Sequence, residues 1–182
     1  MNIEICILAG GLSTRLGRDK ARLKLHGPTM LARIRAAAKE LGCPVRVIRR
    51  DLVARCGPLG GIFTALKTTR ADAVLFLACD MPLVTAALLS RIVRASRDGA
   101  RSTFAAQSGR VGFPLALPMT ALAVIEAQLQ SKEFSLHALA KKLRARRLIV
   151  SARRKELFNV NTPEDAVAAR RHLAAPVPAE AG

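Results

Sequence analysis

The chain has 182 residues, of which 30 are Lys or Arg and 13 are Asp or Glu, giving a formal net charge of +17. A hydrophobic fraction of 51% against 24% charged residues excludes a natively disordered chain, which lacks the apolar surface that offsets ordering; the length suits one domain with a full core. Aromatic residues make up 3% of the chain and all of them are Phe, which speaks against a surface that stacks bases on Tyr or Trp.

Ile3 to Ala9 reads as a buried strand. It is shorter than the roughly 18 apolar residues of a membrane span, and no basic region precedes it as in a signal peptide. Cys6, Cys43, Cys56 and Cys79 form no C-x-x-C pair and no metal-ligand spacing, so the expectation is reduced, mostly buried thiols in a cytoplasmic protein. Leu31, Ile34, Ala38 and Leu41 recur at helical spacing and predict a helix over Met30 to Leu41, stopped at Gly42. A strand follows at Val45 to Ile48 and a helix at Leu59 to Thr68. The near-continuous apolar run within Ala71 to Cys79 predicts a strand covered on both faces. Thr85 is placed to cap a helix that continues to about Arg97.

The βα rhythm then gives way. Ser102 to Gln107 and Val111 to Leu117 read as short strands around the turn Ser108-Gly109-Arg110. Two helices are expected at Thr120–Leu129 and Ser135–Leu143, then a strand at Leu148–Val150 and a short run at Leu157–Val160. Thr162, Pro163, Glu164 and Asp165 mark the start of a last helix, as N-cap, first-position proline and first-turn acids. This order predicts an α/β chain with an open, mainly parallel sheet and helices on both faces. One domain is expected over residues 1–173, with 174–182 as a disordered tail.

The first loop holds the densest chemical signal. Leu8-Ala9-Gly10-Gly11-Leu12-Ser13-Thr14-Arg15-Leu16-Gly17-Arg18-Asp19-Lys20 leaves the carboxyl end of the first strand, where open α/β sheets bind ligands. Gly10 and Gly11 let backbone N–H groups approach a phosphate, Ser13 and Thr14 add hydroxyls, and Arg15 and Lys20 add positive charge. The spacing is neither that of a Walker A loop nor that of G-x-G-x-x-G.

The pattern Leu-Ala-Gly-Gly-x-Ser-x-Arg-x-Gly-x-Asp-Lys resembles the signature of the molybdenum cofactor guanylyltransferase family of the nucleotidyltransferase superfamily. Gly57-Pro58-Leu59-Gly60-Gly61-Ile62, Cys79-Asp80-Met81-Pro82 and Phe158-Asn159-Val160-Asn161-Thr162-Pro163-Glu164-Asp165 follow in that family's order, so the resemblance covers about residues 1–173. It implies a Rossmann-like three-layer α/β/α fold of the nucleotide-diphospho-sugar transferase type. It also implies an enzyme that moves GMP from GTP to the phosphate of molybdopterin or molybdenum-molybdopterin and releases pyrophosphate.

Under the resemblance, Leu8, Ala9, Gly10, Gly11 and Ser13 would hold the nucleotide. Arg15 would grip the phosphates that leave, and Lys20 would stabilise charge at the α-phosphate. Asp80 would hold Mg²⁺, which takes few protein oxygens and keeps phosphates and waters as its other ligands. Asn161 would reach the rim of the site or serve as a turn residue before the last helix. Asp51 is the nearest candidate for the family's nucleoside-contacting Asp. The chain departs from the family here: a loop and a further strand that usually follow the second strand are missing, and with them the family's Asn.

Lys141-Lys142-Leu143-Arg144-Ala145-Arg146-Arg147 and Arg153-Arg154-Lys155 are basic clusters that would attract an anionic cofactor or its carrier or insertion protein, or simply form a solvated face. Phe113-Pro114-Leu115-Ala116-Leu117 offers either acceptor contact or core packing. Rival readings are a relative that uses CTP, one with a sugar-phosphate acceptor, and a non-enzymatic nucleic-acid binder; the last leaves the thirteen-residue loop and Asp80 unexplained. No membrane partner is expected.

Overall fold

The computed structural model describes residues 1–10, 20–53 and 55–174. Six strands form one sheet in the order β2-β1-β3-β5-β4-β6. They are β1 (Ile3–Leu8), β2 (Val45–Ile48), β3 (Ala73–Ala78), β4 (Thr103–Gln107), β5 (Arg110–Pro118) and β6 (Arg146–Ile149). β1 pairs in parallel with both β2 and β3, and β4 pairs in parallel with β6. β5 runs antiparallel to β3 and β4, so it is the one reversed strand of a mostly parallel sheet.

Side-chain alternation along the strands feeds two cores. Ile3, Ile5 and Ile7 of β1, with Ala73, Leu75 and Leu77 of β3, meet Ile34 and Ala38 of α1 (Met30–Lys39) and Leu88, Leu89 and Ile92 of α3 (Ala86–Arg97) on one face. Cys6 and Leu8 of β1, with Val74 and Phe76 of β3, meet Leu59, Ile62 and Leu66 of α2 (Pro58–Thr68), Ile125 of α4 (Leu122–Gln130) and Leu139 of α5 (Leu136–Lys142) on the other. The result is three layers. A smaller cluster packs Leu25 and Met30 against Val160 and against Ala166 and Ala169 of α6 (Pro163–Ala174). At the outer edge Arg46 bonds Glu4 at 2.9 Å, Thr68 Oγ1 at 2.6 Å and the Ala65 carbonyl at 3.1 Å, tying β2 to β1 and α2.

Local chemistry sets the element ends. Thr29, Thr85 and Ser135 accept hydrogen bonds from the amides of Ala32, Leu88 and Ala138 and so cap α1, α3 and α5. Gly42 lies at φ 67 just past α1, as the expected stop requires.

Several expectations are corrected. The strand expected at Leu148–Val150 is Arg146–Ile149, since β6 follows β4 from Thr103↔Arg146 to Ala106↔Ile149. The helix expected from Thr120 begins as a 3-10 turn, Met119–Ala121, before α4. The run at Leu157–Val160 joins no strand, because its amides bond to loops: Phe158 to Lys155 and Val160 to Asp80. The tail expected from Ala174 loses that residue to α6, and 175–182 lie outside the described residues. No helix among the described residues is long and apolar enough to cross a membrane.

Candidate active site

The carboxyl ends of β1 and β3 open into a cleft of about 880 Å³, large enough for more than one small ligand. Two hydrogen bonds carry the ladder past the strand ends and fix its floor. The Ala9 amide donates to the Ile48 carbonyl at 2.8 Å, and the Cys79 amide to the Leu8 carbonyl at 3.1 Å. Leu8, Ala9 and Gly10 therefore line the cleft beside Cys79 and Asp80.

Three glycines pack tightly around Asp51. A Cβ at Gly60 would fall 2.9 Å from the Val53 carbonyl oxygen and 3.1 Å from an Asp51 carboxylate oxygen. One at Gly61 would lie 3.1 Å from Leu8 and 3.4 Å from the Asp51 carboxylate; one at Gly10 would lie 3.2 Å from the Arg49 carbonyl oxygen. These glycines seat Asp51 over the start of α2, and both it and Gly10 and Gly61 line the cleft. Burial pushes the Asp51 carboxyl above its ordinary pKa. The main-chain reversal into α2 is made by Gly57 at φ 55, followed by Pro58 at the first helical position.

Asp80 lies two residues beyond β3, on the floor of the cleft. The Val160 amide donates to its carbonyl at 2.8 Å and brings the segment 157–161 alongside. Asn159 and Asn161 line the cleft from there. The amides of Asn161 and Thr162 both donate to an Asp165 carboxylate oxygen at 2.9 Å, and the Asp165 amide returns to Thr162 Oγ1 at 3.1 Å. This reciprocal cap at the start of α6 fixes the Asn161 backbone, so Asn161 is both a turn residue and a wall of the site.

Of the sequence-derived site residues, Leu8, Ala9, Gly10, Asp51, Asp80 and Asn161 come together in this cleft. Gly11, Ser13 and Arg15 lie outside the described residues, and Lys20 opens the 3-10 turn Lys20–Arg22, whose Ala21 lines the cleft. The candidate acceptor segment divides. Phe113 lines the cleft, whereas Leu115, Ala116 and Leu117 are buried in the two cores. Sequence reasoning did not single out Arg55, Gln107, Arg110 or Gly112, which also line it. The turn signal at Ser108-Gly109 located a hairpin but carried no information on which end of the sheet it would face.

Among the described residues no three His, Cys, Asp or Glu side chains converge as a metal cage. The carboxylate of Asp80 still fits a hard divalent cation that draws its remaining ligands from phosphate oxygens and water.

Residues 5–54 and 41–150 match a family model described as the MobA-like NTP transferase domain. The two stretches overlap over 41–54, which holds β2. A probable molybdenum cofactor guanylyltransferase of Opitutus terrae is 35% identical over 91% of this chain and 93% of its own length. A molybdenum cofactor guanylyltransferase of Xanthomonas euvesicatoria is 33% identical over 87% and 89%. Among solved structures, the molybdopterin-guanine dinucleotide biosynthesis protein A of Archaeoglobus fulgidus superposes with a TM-score of 0.75 at 17% identity, over 94% of this chain and 98% of that one. A 4-diphosphocytidyl-2C-methyl-D-erythritol synthase of Anaerococcus prevotii also reaches 0.75, at 14% identity over 96% and 99%; at such identities the likeness is one of fold.

Proposed function

Because this chain belongs to the MobA-like NTP transferase family, we propose that it transfers GMP from GTP to the phosphate of molybdopterin, with or without molybdenum, and releases pyrophosphate. The observation that carries the reading is the meeting of Gly10, Asp51, Asp80 and Asn161 in one cleft at the carboxyl ends of β1 and β3. The guanylyltransferase names of its relatives favour GTP as the donor.

An oxygen of the acceptor phosphate attacks the α-phosphorus. A new P–O bond forms, the bond from the α-phosphorus to the bridging oxygen breaks, and the electron pair leaves with pyrophosphate. The attacking oxygen is already anionic, so no side chain has to take a proton. What remains for the protein is alignment and charge neutralisation.

Gly10 and the Asp51 pocket would take the nucleoside end, where absent side chains allow close backbone approach. Lys20 and Arg15 would neutralise the triphosphate from the first loop. Asp80 would hold Mg²⁺, which when bound supplies positive charge to the phosphate oxygens. Asn159 and Asn161 would order the acceptor side through the segment pinned to Asp80. Carrier and insertion proteins would supply and receive this anion, and Arg153 and Arg154, in an exposed 3-10 turn just ahead of Leu157, are placed to meet one.

The reading is tested by incubating the protein with GTP, Mg²⁺ and molybdenum-loaded molybdopterin and following dinucleotide and pyrophosphate. Equal amounts of the two products are expected. Absence of both from active acceptor and fresh protein overturns it.

A further inference from the structure

The β4–β5 hairpin lies on the far side of β3 from Gly10 and Asp51, and its construction turns it over the cleft. Pairing of β5 with β3 runs from Ala73↔Pro118 to Phe76↔Leu115 and ends there. β4 and β5 continue together, from Ala105↔Gly112 to Gln107↔Arg110. Between these pairings the register shifts at Phe104/Ala105, so that Phe113 and Pro114 of β5 have no counterpart on β4. Such a bulge bends a ribbon and re-aims its side chains.

The tip is firmly built. Ser108 and Gly109 form a two-residue turn at φ 50 and 78, the mirror-image turn that matches strand twist. β4 is held on its other edge by β6 as far as Ala106↔Ile149, and Gln107 Nε2 donates to the Val150 carbonyl at 3.4 Å.

This wall offers Ala105, Val111, Gly112 and Phe113, the amide of Gln107, and one charge, Arg110. The neighbouring wall from 157–161 contributes Leu157, Asn159 and Asn161, all neutral. Among the described residues that line the cleft, Arg110 is thus the one cation on the acceptor side of Asp80. An acceptor phosphate must approach an anionic triphosphate, and a guanidinium offers a planar fork to phosphate oxygens. Beside it, among the described residues and apart from its two chain neighbours, nothing lies within 4 Å of where a Cβ on Gly112 would stand. That open strip next to Phe113 suits a flat ring.

We propose that the β4–β5 hairpin is the acceptor-recognition element, in which Arg110 holds the phosphomonoester of the acceptor and Gly112 leaves room for a flat heterocycle. The proposal rests on the nucleotidyl-transfer reading for its substrate class. It adds which residues discriminate the acceptor, separately from those that hold GTP.

The test compares wild type with Arg110→Ala, Arg110→Lys and Gly112→Val, each shown to unfold at the wild-type temperature. Two fluorescent pterins serve as equilibrium probes, one bearing a phosphomonoester and one lacking it. Arg110→Ala is expected to weaken the phosphorylated pterin at least about tenfold and to leave the other unchanged, as loss of a charge-assisted fork predicts. Arg110→Lys recovers part of the loss, and Gly112→Val weakens both pterins. In turnover, Arg110→Ala raises KM for the acceptor by a similar factor and leaves KM for GTP within about twofold. Equal binding of the phosphorylated pterin by wild type and Arg110→Ala overturns the proposal. A wild-type protein that binds the probes in this pattern yet makes no dinucleotide leaves the hairpin assignment standing and removes the transfer reading.

Discussion

The amide of Val160 donates to the carbonyl oxygen of Asp80 at 2.8 Å, and this bond joins the loop after β3 to the segment that carries Asn159 and Asn161. A second tie runs alongside it: the hydroxyl of Thr85, which caps α3, donates to the carboxylate of Glu156. Glu156 is 4% exposed, so this clamp works in a dry setting. Two stretches far apart in the chain therefore reach the cleft as one unit.

Glu156→Ala is expected to loosen that unit. Removing a buried hydrogen-bonded acceptor costs about 1–3 kcal/mol, and urea unfolding measures it. A variant as stable as wild type shows that the Thr85 contact contributes nothing.

Asp80→Asn and Lys20→Ala are each expected to lower turnover at least about a hundredfold, the usual loss when one preorganised charge is removed. Steady-state rates at saturating GTP decide it. Near wild-type rates in either variant withdraw the role given to that residue.

Asp51 carries a cost that the proposed nucleotide contact would explain. Burial disfavours the ionised carboxyl, so its folded-state pKa stands above the unfolded value. The ionised form therefore destabilises the fold at pH above the folded pKa; that cost fades as pH falls and is absent below the unfolded pKa. At neutral pH, Asp51→Asn is expected to keep or raise the unfolding temperature while raising KM for GTP at least about fivefold, as removal of a substrate contact predicts. In wild type, KM for GTP should rise as pH falls through the Asp51 pKa, and this rise should vanish in Asp51→Asn. A variant with unchanged KM and an unchanged pH profile places Asp51 outside nucleotide binding.

Gly60→Ala tests the seat of that carboxylate. The new methyl would meet the Val53 carbonyl oxygen at 2.9 Å and Asp51 at 3.1 Å, and backbone cannot yield as a flexible side chain does. A loss of about 1–3 kcal/mol is expected from overpacking, with weaker GTP binding by calorimetry. Unchanged stability and affinity contradict the close approach.

Cys6 should be an inert thiol. Burial, with the Glu4 carboxylate second, pushes its pKa up to about 12, so little thiolate exists at neutral pH. Alkylation of the native protein followed by mass spectrometry is expected to modify the half-buried Cys43 and Cys79 and to spare Cys6. Early modification of Cys6 contradicts this.

The sequence carried the fold well where periodicity and end signals agreed. Ile3, Ile5 and Ile7 alternate with Cys6 and Leu8 between the two cores, and Thr85 caps α3 as its position before the apolar repeat implies. Asp51 was singled out only by its order along the chain; the close packing of Gly60 and Gly61 on its carboxylate is a three-dimensional relation that no local signal carries. Arg110 and Gly112 were hidden for another reason. A hairpin signal is local, whereas their place on the cleft follows from a bulge and from the reversed direction of β5. Phe113-Pro114-Leu115-Ala116-Leu117 split between cleft and core because β5 parts from β3 at Leu115 and runs on paired with β4 alone.

The excess of basic residues also takes a narrower meaning. Arg46 is spent on the β1–β2–α2 edge, and Arg146 bonds Asp98 at 2.9 Å and the Ala95 carbonyl at 3.3 Å. Among the described cleft residues only Arg55 and Arg110 are basic. A field of +17 favours small polyanions in such a cleft, and no stripe of aromatic side chains accompanies it to stack bases.

The most direct measurement supplies molybdenum-loaded molybdopterin, Mg²⁺ and an equimolar mixture of GTP and CTP to the purified protein and identifies the dinucleotide product by mass. The guanine dinucleotide is expected in large excess, with pyrophosphate released in equal amount. A cytosine dinucleotide as the main product, or no dinucleotide at all, contradicts the proposed transfer of GMP.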